Sequence, residues 1–324
     1  MKTYYFLIAI LLHTLSCKKI TALNEPNFDV SSDSSTYRQG SITKFSFSGN
    51  PDNIIFYSGA KGNQYARKDR YFDTSGNVLL SFSTVVNTAG NSGNLNLFIS
   101  DNYTNDTSKI ANATWTDIGS FATINWATGA TATSSGSIDL NRYKILKKPI
   151  YLAFKYVADS AVTQKKWTIS SLALTHQPVG DTTYTLATTA VTLPNYIVGS
   201  LPLISSPGWV AVNTSRNPTA AQRWAPTVAT ASTTSLTVGG NSNALTAIAT
   251  EQWIIAGPID LTAVLHDVPT AIVKNSLSLS AEQLQPAFSF RYAKIGVYDA
   301  TFVGINANNN NRKSLEKYLK IIVN

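Results

Sequence analysis

The sequence predicts an all-β protein built from two β-sandwiches. Three observations carry that expectation. Thr, Ser, Asn, Ala and Val dominate, while charged residues make up only 14% against the usual quarter. Short β-branched and aromatic runs recur between Gly, Asn and Asp turns. Each end of the chain reads as half a sandwich, unable to bury its inner face alone.

Residues 1–16 read as a signal peptide. One positive charge at Lys2 precedes the apolar run "YYFLIAILLHTLS", which is too short for a span of about 20 apolar residues. The only cysteine, Cys17, follows Thr14-Leu15-Ser16. That is the bacterial lipoprotein signal, in which the thiol takes a diacylglycerol thioether. Acyl chains burying about 0.8 kcal/mol per methylene would hold the protein to a lipid bilayer. With no second cysteine, disulfides do not hold the fold. Residues 17–26 are then a lipidated linker.

Residues 23–59 read as three strands. Phe28 and Val30 lie on the first, Ile42, Phe45 and Phe47 on the second, and "IIFYSG" on the third. Residues 288–324 supply a strand, a "KIG" turn, the strand "VYDATFVGINA", an Asn-rich hairpin and a closing strand around Lys317–Val323. Joining the two ends gives one domain split in sequence, 27–75 plus 268–324. Between them, "VLLSFSTVV", "NLNLFIS", "ATWTDI", "ATINWA", "KPIYLAFKYV" and "KKWTISSLAL" are regularly spaced strands, as in a jelly roll. They define a domain at 76–178. A second β-rich segment at 179–267 ends in Trp253-Ile-Ile, as the first does in Trp167-Thr-Ile. It reads as a degenerate repeat packed on the jelly roll. "VGGN" at 238–241 reads as a hairpin turn.

Net charge is +8, but the basic residues are scattered and no stripe interleaves them with aromatics, so nucleic acid is not an expected partner. The histidines of the secreted chain, His176 and His266, stand alone. No zinc spacing, nucleophile elbow or phosphate loop is present. His176, before Pro178, reads as a linker residue. The eighteen carboxylates sit mostly in turns, where Asp bonds its own backbone. A glycosidase pair across about 5–9.5 Å is the remaining enzymatic alternative, and sequence does not place one. No catalytic residue is assigned and no cofactor is expected. A structural calcium ion is the one candidate, at Asp101, Asn102 and Asp106 in "ISDNYTND"; an ordinary Asx-rich turn explains the same residues.

Aromatic side chains offer the route to a ligand. Of six Trp, Trp115, Trp167 and Trp253 lie within strand-like runs and read as core. Trp209 and Trp224 flank a loop carrying Arg216, Asn217 and Arg223, suited to a sugar's flat face and hydroxyls. A second candidate is Tyr65 and Tyr71, set among Arg67, Lys68, Asp69 and Arg70; a solvated loop between domains is the alternative. "DSA" and "DTT" offer Ser160 and Thr182 as O-glycosylation sites.

The ending Gly296-x-Tyr298-x-x-Thr301-Phe302-x-x-x-Asn306 resembles the last hairpin of an immunoglobulin/PKD-like domain. Together with "TYRQGSITKFSFSGNPDNIIFYSGAKGNQYARKDR", "ATWTDI", "KKPIYLAFKYV" and "TFVGINANNNNRK", it resembles the domain-of-unknown-function family 5017 of Bacteroidota lipoproteins, over most of residues 25–324. The middle also resembles the jelly-roll modules of cleaved adhesins. The resemblance implies an outer-membrane lipoprotein at the cell surface or periplasmic face. It also implies glycan or polysaccharide binding beside outer-membrane importer proteins, with no catalytic residues to transfer. Lys18-Lys19-Ile20 follow the cysteine where surface-exported relatives carry acidic residues. An adhesive or structural surface protein is the alternative, and a carbohydrate-active enzyme the third.

Overall fold

The computed structural model describes residues 23–87, 90–189, 208–214, 226–228, 234–241, 243–275 and 287–324. The described residues are all-β, and they divide into two compact units, a terminal one (those within 23–68 and 267–324) and an inserted one (those within 69–266).

In the terminal unit, β1 (Phe28–Ser32), β3 (Ile42–Gly49) and β17 (Ala287–Arg291) form a three-stranded sheet in the order β1-β3-β17. The facing sheet runs β16-β4-β18-β19-β2, from β16 (Ala271–Asn275), β4 (Asn53–Tyr57), β18 (Gly296–Ala307), β19 (Arg312–Val323) and β2 (Thr36–Tyr37). Each sheet thus mixes strands from both chain ends. The alternation of β3 turns Phe45 inward against Phe56 and Phe302, with ring centroids 5.5 and 5.0 Å away. Phe28 fills the space that a side chain at Gly304 would take, 2.3 Å from a Cβ built there. The sequence's split sandwich is therefore a physical core joining residues nearly three hundred positions apart.

In the inserted unit, one sheet runs β13-β15-β10-β6-β7, from β13 (Trp209–Asn213), β15 (Thr250–Ile259), β10 (Ile150–Ala158), β6 (Asn94–Ser100) and β7 (Thr116–Asp117). The other runs β12-β11-β5-β8, from β12 (Tyr184–Thr188), β11 (Lys166–Gln177), β5 (Asn77–Val86) and β8 (Thr133–Ser134). Here β14 (Leu236–Gly239) also pairs with β11, and β9 (Ile138–Asp139) with β5. The apolar faces of both sheets share one core around Leu80, Phe82, Leu97, Phe154 and Ile169.

Several expectations are corrected. The described residues of 179–267 are not a separate repeat: β12–β15 complete the two sheets begun by 77–177. Trp167 and Trp253 are not equivalent, since they lie in different sheets and different apolar clusters. "VGGN" is no hairpin, because β14 and β15 belong to different sheets; buried Gln252 ties them by bonding both backbone groups of Gly239. "ATWTDI" shortens to β7, and "ATINWA" forms no strand. Residues 69–75 belong to the inserted unit rather than the split domain. His176 is no linker: it is fully buried in β11, its ring nitrogens 3.0 and 3.3 Å from the carbonyls of Ser75 and Ala263.

A cleft of paired tyrosines

After β4, the chain turns at Gly59, whose φ of +76° favours glycine and whose Cβ would lie 2.7 Å from the backbone of Asp299 in β18. This close approach lays the 59–68 loop over the outer face of β18 and β19. Gly59 N–H donates to Asn63 O, and Asn63 Nδ2 donates to Val268 O. The buried Asp267 carboxylate accepts from the Gln64 amide at 2.8 Å. The loop then makes a single 3₁₀ turn at Tyr65–Arg67.

Those constraints put Tyr65 edge-on to Tyr57 beneath it and to Tyr318 beside it, with centroids 5.2 and 6.4 Å away. The Tyr65 hydroxyl donates to Glu316 at 2.7 Å. Burial, then Glu316, pushes its pKa well above the usual tyrosine range, so it stays a neutral donor. Lys68 Nζ lies 5.1 Å from the Tyr65 ring centre, a cation–π contact. Tyr318, 61% exposed, offers a ring face to solvent. Between the loop and the sheet is a cleft of about 710 Å³, lined by Tyr65, Tyr318, Arg67, Lys68, Asp299 and Thr301 among others. Aromatic surface, two cations, a carboxylate and a hydroxyl thus converge on one concavity, as small polar ligands require.

Of the sequence-predicted residues, Tyr65 lies here. Tyr71 does not; it belongs to the inserted unit, where its ring meets His266 at 5.3 Å. Trp209 is no sugar platform. It is 8% exposed in β13, packs on Phe154, and spends its indole N–H on Thr188 O at 2.8 Å. Cys17, Arg216, Asn217, Arg223 and Trp224 lie outside the described residues. In the calcium candidate, Asn102 Oδ1 accepts from Thr114 N–H, and Asp106 caps a 3₁₀ turn by accepting from Ser108 N–H. Hydrogen bonds from Ser108 and then Lys109 lower the Asp106 pKa to about 2. Asp101 is exposed in the same loop. Among the described residues, no group of three or more His, Cys, Asp or Glu could hold a metal. Ser160 and Thr182 are both exposed, and Asp181 beside Thr182 is buried. Sequence reasoning missed Tyr318, Glu316 and Asp299, which lie about 250 residues from Tyr65. The one available signal was a tyrosine on the outward phase of a closing strand.

The family of unknown function DUF5017 matches residues 16–193, more than half of the chain. The chain belongs to that family. The match runs through β1–β12 and stops short of the C-terminal hairpin that also carried the resemblance. This DUF5017 chain has no match among curated proteins or solved structures. No described helix is long and apolar enough to cross a membrane.

Proposed function

We propose that this DUF5017 protein is a lipid-anchored, noncatalytic glycan-binding protein of the outer membrane, serving as an accessory of a polysaccharide-uptake system. The Tyr65–Tyr318 cleft carries the reading: an exposed tyrosine face beside Lys68, Arg67 and Asp299 suits a sugar ring's C–H face and its hydroxyls. The Cys17 lipoprotein signal supports the anchor. The test is calorimetric titration of residues 20–324 with plant, microbial and host polysaccharides. Saturable binding that falls about tenfold in Tyr318→Ala supports the reading, since a stacking contact is worth about 1–1.5 kcal/mol. No binding across the panel by folded protein overturns it. Exposed Ile295 and Val297 near the cleft favour the second reading, an adhesive surface for another protein. Protein capture abolished by Val297→Asp, with polysaccharides inert, selects that reading instead. For the anchor, Cys17→Ser should move the protein from the membrane to the soluble fraction.

A further inference from the structure

The tryptophans of the inserted unit are not alike. Trp115, Trp167, Trp209 and Trp253 each give their indole N–H to a protein acceptor, at 2.8 to 3.1 Å. Among the described residues, the Trp126 Nε1–H has no such partner, and it is not a buried atom. The ring is nonetheless fixed, tilted on Phe82 at 5.5 Å and edge-on to Trp167 at 6.0 Å.

Trp126 lies in the irregular stretch between β7 and β8. With Phe121, Thr123 and Ile124 it lines an open groove of about 580 Å³. Part of the backbone there makes no hydrogen bond to a described residue. Phe121 and Ala122 bond back to Ile118, and Asn125 to Ser135, but the amides of Thr123, Ile124 and Trp126 donate to no described residue. Beside the groove, the Arg142 guanidinium lies 4.7 Å from the centre of Phe121 and 5.7 Å from that of Tyr143. These ring contacts hold it beside the groove, yet Arg142 is exposed and forms no ion pair or hydrogen bond among the described residues. Among the described residues, neither Asp117 nor Asp139 forms an ion pair with it; their carboxylates accept from the Gly119 and Asn141 amides.

We propose that this groove is a second saccharide subsite, taking a sugar that carries a carboxylate or sulfate. Trp126 supplies a ring and an N–H donor, the free amides meet hydroxyls, and the preset Arg142 fork meets the anion with two parallel hydrogen bonds. The proposal rests on the reading of this chain as a glycan binder, but it concerns another surface.

The experiment titrates mature protein with polygalacturonate, dextran sulfate and a neutral polysaccharide, following tryptophan fluorescence and heat. The expected result is tighter binding of an acidic polymer with a fluorescence change. Trp126→Phe, which keeps the packing, and Arg142→Met, which keeps the stacking, should each weaken it by about tenfold or more. Tyr318→Ala should leave the fluorescence change in place. Preference for polygalacturonate assigns the anion as carboxylate, and preference for dextran sulfate, which carries no carboxylate, as sulfate. Acidic binding unchanged in both groove variants, or absent in wild type, overturns the subsite. If neutral binding is still lost in Tyr318→Ala, the proposed function stands without it. If no polysaccharide binds, both readings fall.

Discussion

Tyr65 and Trp209 show how little a residue's type says about its role. Both are aromatic residues in polar surroundings of the sequence, yet one lines a cleft and the other closes a core. The difference lies in the hydrogen bond each makes: Trp209 is satisfied by a backbone carbonyl, while Tyr65 is held by Glu316 on another strand. Removing that acceptor should loosen the platform. Glu316→Ala is expected to weaken polysaccharide binding by a few-fold while leaving the thermal midpoint within a few degrees, measured by calorimetry and melting. The ion pair between Arg70 and Asp181 predicts a pH effect. Burial alone would raise the Asp181 carboxyl. Hydrogen bonds from Arg70, the Thr182 amide and Tyr184 outweigh it and hold the pKa below the usual carboxylate value. A depressed folded pKa means the unfolded chain takes up the proton first as pH falls. The stabilisation is therefore complete above about pH 4 and is lost as pH drops toward the folded value. Asp181→Asn should cost about 2–3 kcal/mol at pH 7 and flatten that acid limb of a denaturation series.

Among the elements, β19 does most for the terminal unit. It pairs with β18 from Arg312 to Val323 and places Ile321 and Val323 in the core. A chain ending at residue 310 loses the whole strand and exposes β18. It should lack the cooperative transition of the terminal unit; a melt matching the full mature chain would contradict the split core. The loop over β18 is equally specific. Gly59→Val places a branched Cβ against Asp299 backbone at an unfavourable φ, a cost of about 2–4 kcal/mol. It should abolish cleft binding before it unfolds the unit, read by comparing titration with circular dichroism. Strand existence was legible at β3, β5, β6 and β10 from short β-branched and aromatic runs between polar turns. It failed at "ATINWA", whose β-branched residues found no partner strand, because strand formation is settled by pairing and not by propensity.

For the whole molecule, the chain arrangement is that of a domain inserted into a loop. Asp267 N–H donates to Arg67 O at 3.1 Å, so the terminal unit's two ends meet where the insertion leaves and returns. The inserted unit's ends meet as well, Val264 N–H donating to Tyr71 O and Asp73 N–H to Thr262 O. Adjacent ends make such insertions tolerable. Replacing residues 69–266 with a short Gly-Ser linker should leave a terminal unit that folds and keeps the tyrosine cleft. Heteronuclear NMR dispersion and a polysaccharide titration would check it; a molten, non-binding product would show that the insertion is needed for the fold.

The sequence by itself determined the all-β class, because composition and the recurrence of short β-branched runs between turns are local properties that survive without coordinates, and an unpaired half-sandwich at each end pointed to the other. It also determined the loop holding Tyr65. Only the tertiary structure decided which aromatics stay available. Tyr318 became Tyr65's neighbour through the β18–β19 pairing, Trp209 was withdrawn into a core, and Trp126 kept its N–H because no strand came to take it. It also merged 179–267 into the inserted sandwich, since edge strands are completed by whichever segment returns to them, and return is a matter of long-range packing.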